Sequence, residues 1–290
     1  MPPLNRLFAV LASLAMLLSA PVLAAAAATV EAVQSPAWRD RGGLSVPLAA
    51  GMELNSGDVV RTGAGARVYL MLAEGSRVKL GETARFSLHT RSLQPEKVFR
   101  GALDVLAGAF RFTTGKLAKA KSREVSIRVG TATIGIRGTD VWGKTDKEGD
   151  LVALLEGRIE ITRAGQATEM AQAMSYYDAP AGKAAEVKSL DAETFVKLAR
   201  QTDILAGDGA SRTKGKWRVL AGSASTEVAA LEIYDQARDA GFGARIKPRE
   251  AEGDAWSYDV VLTGFASEAD AGVAAARLKA ATELKPSVLR

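Results

Sequence analysis

The last third of the chain contains one pattern twice. Laying residues 217–247 over 258–288, an offset of 41 residues, brings Val219 onto Val260, Ala221 onto Leu262, Thr226-Glu227 onto Ser267-Glu268, Ala230 onto Ala271 and Ala237 onto Leu278. In each copy an alternating segment suited to a half-buried strand runs into a turn. A Thr or Ser then stands where a helix N-cap belongs, and small or apolar residues recur at helical spacing. Ser267 with Asp270 three residues on approximates a capping box. Short second strands close the copies at 244–247 and 286–289. Two such strand-helix-strand units predict a four-stranded antiparallel sheet with both helices on one face, a ferredoxin-like α+β domain whose other face is free to bind.

Upstream the period changes to two. Arg67-Val68-Tyr69-Leu70-Met71-Leu72, Ser76-Arg77-Val78-Lys79-Leu80, Arg85-Phe86-Ser87-Leu88 and Val125-Ser126-Ile127-Arg128-Val129 alternate polar with apolar residues. Each reads as a strand with one face on a core and one in water. Gly51, Ser56-Gly57-Asp58, Gly63-Ala64-Gly65, Glu74-Gly75-Ser76 and Glu156-Gly157 supply the turns between them. Strands at this density predict an all-β sandwich or roll. Gly135 and Gly138 flank Arg137 and suggest a bulge or sharp bend, with Arg137 anchoring carbonyls or a carboxylate inside the fold or, alternatively, facing a ligand. Lys116, Lys119, Lys121 and Arg123 cluster between two strands and read as a solvated turn.

The N-terminus bounds the compartment. Arg6 is followed by an apolar run from Leu7 to Leu18 and by small residues through Ala24. That run is about a dozen residues, short of the roughly 20 that span a bilayer, so residues 1–24 read as a cleaved signal peptide. The expected mature chain is periplasmic, with no stable membrane insertion. The sequence has no cysteine, which rules out disulfides and a lipid-modified cysteine.

Between the two patterned regions, Leu190, Phe195, Val196 and Leu198 are spaced for a short amphipathic helix, and Ala206–Gly215 reads as a flexible linker. The expected organisation is a β domain at 30–185, helix and linker at 186–215, and the duplicated domain at 216–290.

Catalysis finds no support. The single histidine, His89, lies in an alternating segment and reads as a solvent-facing strand residue. The stretch from Gly108 to Gly115-Lys116 has the wrong spacing for a phosphate loop and ends in Leu117 where a magnesium-binding hydroxyl would stand. Without thiols, and with one imidazole, neither a transition-metal site nor a nucleophile-histidine pair is expected, and no cofactor is implied. The formal charge is +5, and from Lys216 onward ten basic residues face eleven acidic ones, so the surplus sits in the first domain. In an exported protein such a balance suits anionic polymers or membrane surfaces rather than nucleic acid.

Two family resemblances follow. Leu54-Asn55-Ser56-Gly57-Asp58-Val59-Val60-Arg61-Thr62-Gly63, Glu74-Gly75-Ser76, Gly108-Ala109-Phe110-Arg111, Ile134-Gly135-Ile136-Arg137-Gly138-Thr139 and Leu155-Glu156-Gly157 resemble the FecR-type extracytoplasmic domain in order and spacing. Trp217-Arg-Val-Leu-Ala-Gly222-Ser223 and Tyr258-Asp-Val-Val-Leu-Thr-Gly264-Phe265-Ala-Ser267 resemble the two strand-turn segments of the SPOR domain. The second resemblance implies binding of peptidoglycan glycan strands stripped of their stem peptides, on the open sheet face. Carried over, the contact positions are Leu220, Ser223, Ser257 or its neighbour Trp256, and Asp259, with Trp217 a further aromatic candidate. Leu220 stands where the family commonly has glutamine and Asp259 where it commonly has arginine, which removes polar partners for sugar hydroxyls. The expectation is a non-enzymatic peptidoglycan-binding protein of the cell envelope, tied to cell division, whose β domain contacts a further envelope protein. The first resemblance implies the alternative, an envelope signalling component related to sigma-factor regulators, with the SPOR-like fold used for protein contacts.

Overall fold

A computed structural model describes residues 26–93, 98–115, 123–136, 138–251 and 255–290. The signal segment 1–24, Lys116, Lys119, Lys121 and Arg137 lie outside the described residues.

Seventeen strands build the β domain: β1 (Ala28–Gln34), β2 (Ala37–Arg41), β3 (Leu44–Pro47), β4 (Glu53–Leu54), β5 (Val59–Thr62), β6 (Arg67–Leu72), β7 (Arg77–Leu80), β8 (Arg85–Leu93), β9 (Val98–Thr113), β10 (Arg123–Val129), β11 (Ala132–Ile136), β12 (Asp140–Asp146), β13 (Gly149–Glu156), β14 (Ile159–Arg163), β15 (Gln166–Met170), β16 (Ser175–Pro180) and β17 (Glu186–Ser189). They form two sheets that share β9. One runs β3-β2-β5-β8-β9-β10-β11-β14-β15, with β9 and β10 parallel and the other neighbours antiparallel. The other runs β17-β16-β13-β12-β9-β7-β6-β1-β4.

The 16-residue β9 changes sheets at Gly108. There the backbone takes φ +83°, and a Cβ would lie 2.6 Å from Ala84 Cα, so only glycine turns this corner without displacing the neighbouring chain. Val60, Phe86, Leu88, Phe110, Phe112, Ile127, Ile134, Val152 and Ile161 meet between the sheets, all fully buried. That inward set is the apolar half of the period-two pattern. A sandwich follows because each sheet has one apolar face to hide.

Asp58, expected as a turn residue, also closes an ion pair. Its carboxylate accepts from Asn55 N at 2.8 Å and from two guanidinium nitrogens of Arg41 at 2.5 and 2.7 Å. Burial alone would raise its pKa, but the hydrogen bonds from Arg41 and Asn55 outweigh it and hold the carboxyl below its ordinary value. Of the bulge or sharp bend expected between Gly135 and Gly138, the structure has a bend at Gly138 and no bulge at Gly135. Gly135 sits in an unbroken ladder opposite Ser126 and Glu160, and the chain turns at Gly138, with φ +69°.

Helix α1 (Ala192–Thr202) lies on the outer face of the second sheet. Asp191 caps it, and Leu190, Phe195 and Leu198 pack on Trp142, Ala109 and Ala153. The amphipathic spacing thus covers a β-sheet face that would otherwise expose a tryptophan.

The duplicated domain comprises β19 (Trp217–Ala224), α2 (Glu227–Asp239), β20 (Arg245–Glu250), β21 (Trp256–Phe265), α3 (Glu268–Ala281) and β22 (Ser287–Leu289), preceded by the two-residue β18 (Ser211–Arg212). Its sheet order is β20-β21-β19-β22, antiparallel throughout. Thr226 and Ser267 cap the two helices through Ala229 N and Asp270 N. Ala230 and Ala237 of α2, and Ala271, Ala274, Ala275 and Leu278 of α3, face the sheet. The stripe of small side chains seen in the repeat lets both helices lie close to it.

The stretch 206–215, expected as a flexible linker, is hydrogen-bonded on both sides. Ser211–Arg212 pairs with Ala32 and Val33 of β1 on one edge and with Phe265 of β21 on the other. Sheet hydrogen bonding therefore runs from the β domain into the duplicated one.

Candidate functional site

Alternation along the strands divides the duplicated domain's sheet into two faces. Val219, Val260, Leu262 and Phe265 point to the helices and form the core with Phe242. Among the described residues no helix covers the opposite face. Across it the register sets Leu220 beside Val261, Ser223 beside Asp259, Arg245 beside Val261, Lys247 beside Asp259 and Arg249 beside Ser257. Val261 is buried between its Leu220 and Arg245 neighbours, an apolar patch at the centre of a polar surface. Asp259 accepts from Ser223 Oγ at 2.6 Å and from Arg249 Nε at 3.4 Å, within the face. At the far side Arg218 donates to the main-chain oxygen of Arg290 at 2.6 Å.

Neither tryptophan belongs to this face. Trp217 packs with the helix-side core and has Arg290 over its ring at 5.9 Å. Trp256 is 51% exposed and shares its parity with Tyr258, whose hydroxyl donates to Glu227 of α2 at 3.3 Å. The expectation of an aromatic platform beside the open sheet is corrected on that ground. Adjacent strand residues point to opposite faces, so Ser257 on the open face puts Trp256 on the helix side. A bulge at Ala221 adds the second half of the reason: it shifts the register between Leu220 and Gly222, and residues 217 and 223 fall on opposite faces despite an even separation.

The second helix binds the β domain. Asp270, 6% exposed, accepts Gly207 N at 3.0 Å, Gly209 N at 3.2 Å and Ser267 Oγ at 2.7 Å. Arg277 donates to the carbonyls of Ser35 at 3.1 Å and Gly65 at 2.9 Å, and burial lowers its pKa. Gly264, at φ +97°, brings its Cα against the bridge, where a Cβ would lie 2.5 Å from Arg212 O. A cleft of about 210 Å³ opens along this seam, with Leu48, Phe242 and Phe265 on its apolar side and Arg245 at its lining. Sequence reading noted Asp270 only as a helix cap and passed over Arg277. The signal available was the departure of both from small or neutral partners at the 41-residue offset, Ala229 and Gln236.

Residues 58–160 match the family model of the FecR protein, and residues 191–290 match that of the SPOR domain. The chain joins a FecR-type domain to a SPOR domain. The SPOR match takes in α1 and the bridging segment as well as the duplicated sheet. No curated protein matches the chain. Two crystal structures of a candidate anti-sigma factor from Parabacteroides distasonis are similar at 12% and 11% identity, with TM-scores of 0.39 and 0.40. They cover 67% and 68% of this chain and 95% and 96% of their own. Values below 0.5 establish no common fold for the whole.

Outside the SPOR domain, one grouping imitates a catalytic triad. Ser87 Oγ lies 2.9 Å from His89 Nε2, and Asp104 Oδ2 lies 4.0 Å from that same nitrogen. In a working triad the carboxylate holds Nδ1 while Nε2 faces the nucleophile. Here Asp104 instead pairs with Arg128 at 2.9 Å. His89 is half exposed on a flat strand, and the arrangement has no oriented base. Among the described residues no group of three His, Cys, Asp or Glu could hold a metal. Among them, too, no helix is long and apolar enough to cross a membrane.

Proposed function

We propose that this is an exported, non-enzymatic cell-envelope protein whose SPOR domain binds peptidoglycan glycan strands on its open sheet face. The observation that carries the reading is the pairing of a SPOR match with a four-stranded sheet that no helix among the described residues covers on one side. Ser223 and Ser257 supply hydroxyls for sugar contacts on that face, and Leu220 with Val261 supplies a small apolar floor. The FecR-type domain, held to the SPOR domain through β18, Asp270 and Arg277, presents a second surface for an envelope protein partner. Residues 1–24 direct export and are removed.

Co-sedimentation of the full chain with purified sacculi, before and after amidase treatment, tests this. Retention that rises on removing stem peptides supports the reading, and no retention on either preparation contradicts it. Zymography on the same material gives no clearing if the protein is not a hydrolase.

The FecR match favours a second reading, a signalling role in the envelope. Its mark is a change in a sigma-factor-dependent reporter when the gene is deleted, with no loss of the response when the SPOR open face is altered.

A further inference from the structure

Three cations stand in a row on the edge strand of the open face. Arg245, Lys247 and Arg249 are all exposed and alternate onto one side of β20. Over four residues of strand the row spans about 13 Å. Of the three, only Arg249 has a carboxylate partner among the described residues, Asp259, which it shares with Ser223. Arg218 adds a fourth positive charge two strands away, hydrogen-bonded to the main-chain oxygen of Arg290.

The fold does not require this row. Like charges on neighbouring positions of one strand face oppose each other. In the second copy Val288 packs inward as Ile246 does in the first, so Ser287 and Leu289 stand where the first has Arg245 and Lys247, and the edge strand forms without the charges. Nor is the face suited to holding sugar rings by stacking, since Trp217, Trp256 and Tyr258 lie on the helix side. The overall charge of residues 216–290 is near neutral, with ten basic and eleven acidic residues, so the row is a local concentration rather than a consequence of composition.

We infer that the open face reads negative charge, with Arg245, Lys247 and Arg249 as specificity-determining residues for the free lactyl carboxylates of peptide-stripped glycan strands. The inference rests on the peptidoglycan reading above and deepens it. Hydrolysis of the amide joining a stem peptide to the sugar's lactyl group releases an amine on the peptide and leaves a carboxylate on the strand. A strand that keeps its peptide presents a neutral amide at that point. Guanidinium groups take a carboxylate through two parallel hydrogen bonds, and the lysine between them supplies a compact charge. The protein thereby distinguishes processed from unprocessed strands by charge. Asp259 does not oppose this, because it is the internal counter-ion that positions Arg249.

The test uses the full chain and soluble glycan strands freed of peptides, in two forms: with free lactyl carboxylates, and with the same carboxylates capped as methylamides. Inorganic polyphosphate serves as a third, non-sugar polyanion. The free-carboxylate strands are expected to bind about tenfold more tightly than the capped ones, and R245Q/K247Q/R249Q to erase that difference. Arg238→Gln, which removes a charge from α2 away from the face, should leave it in place. Equal binding of free and capped strands overturns the charge inference while leaving the peptidoglycan reading intact. Binding of none of the strands overturns the reading itself. Polyphosphate bound as tightly as the free-carboxylate strands overturns the glycan assignment in favour of a general polyanion surface.

Discussion

The two copies of the repeat can be compared position by position. At the edge strand the first copy turns Arg245, Lys247 and Arg249 outward where the register gives the second only Ser287 and Leu289. At the helix the asymmetry reverses: Asp270 and Arg277 of α3, which hold the bridge and the β-domain loops, stand where α2 has Ala229 and Gln236. The inward positions stay small or apolar in both, Ala230 with Ala271 and Val219 with Val260. The frame depends only on those inward residues, which leaves the outward ones of each copy free for separate work. The first copy's edge strand turns its cations outward, and the second copy's helix faces the neighbouring domain.

The largest way to break this comparison is at α3. Asp270→Ala strands two backbone N–H groups of the bridge, at half-buried Gly207 and buried Gly209, and should cost about 2–4 kcal/mol in denaturant unfolding. Next comes Arg277→Ala, which leaves the carbonyls of Ser35 and Gly65 without their donor. About 1–3 kcal/mol is expected there, with faster hydrogen exchange at Ala32 and Ser211 on the seam. Gln236→Ala at the equivalent place in α2 should stay within about 0.5 kcal/mol, and a larger loss would show that both helices carry the junction.

On the first copy the direction inverts. R245Q/K247Q/R249Q should leave unfolding free energy within about 0.5 kcal/mol, or raise it slightly by relieving like-charge contacts, while weakening glycan binding. The smallest effect belongs to Trp256→Ala, which should change glycan affinity less than about twofold because the ring points to the helix side. A tenfold loss there would return the aromatic platform to the site.

Much of this was legible in the sequence, and the exceptions have physical causes. The 41-residue offset fixed both helices, their caps and the sheet, because N-cap chemistry and small-residue stripes are local. The spacing of Leu190, Phe195 and Leu198 likewise foretold a helix that packs on the β domain. Faces were harder to read. Whether Trp217 and Ser223 point the same way depends on a bulge at Ala221, which has no sequence signature of its own. The glycines of 206–215 looked like flexibility, yet Gly209 and Gly215 are there for close approach. A Cβ on Gly209 would lie 2.8 Å from Val273 Cγ1, and one on Gly215 would lie 2.2 Å from the Gly264 carbonyl carbon. Sequence alone does not separate a glycine that frees the chain from one that lets two chains touch. The cation row was in plain view but scattered at alternate positions, and only the register with Val261, Asp259 and Ser257 gathers it onto one surface.

The account stands most directly on which face the ligand touches. Backbone amide chemical-shift mapping of the full chain with soluble peptide-stripped glycan measures that residue by residue. The prediction is that shifts concentrate on Arg245, Lys247, Arg249, Ser257 and Ser223 and spare α2, α3 and Trp256. Shifts centred on Trp217 and Trp256, or confined to the FecR-type domain, would contradict it.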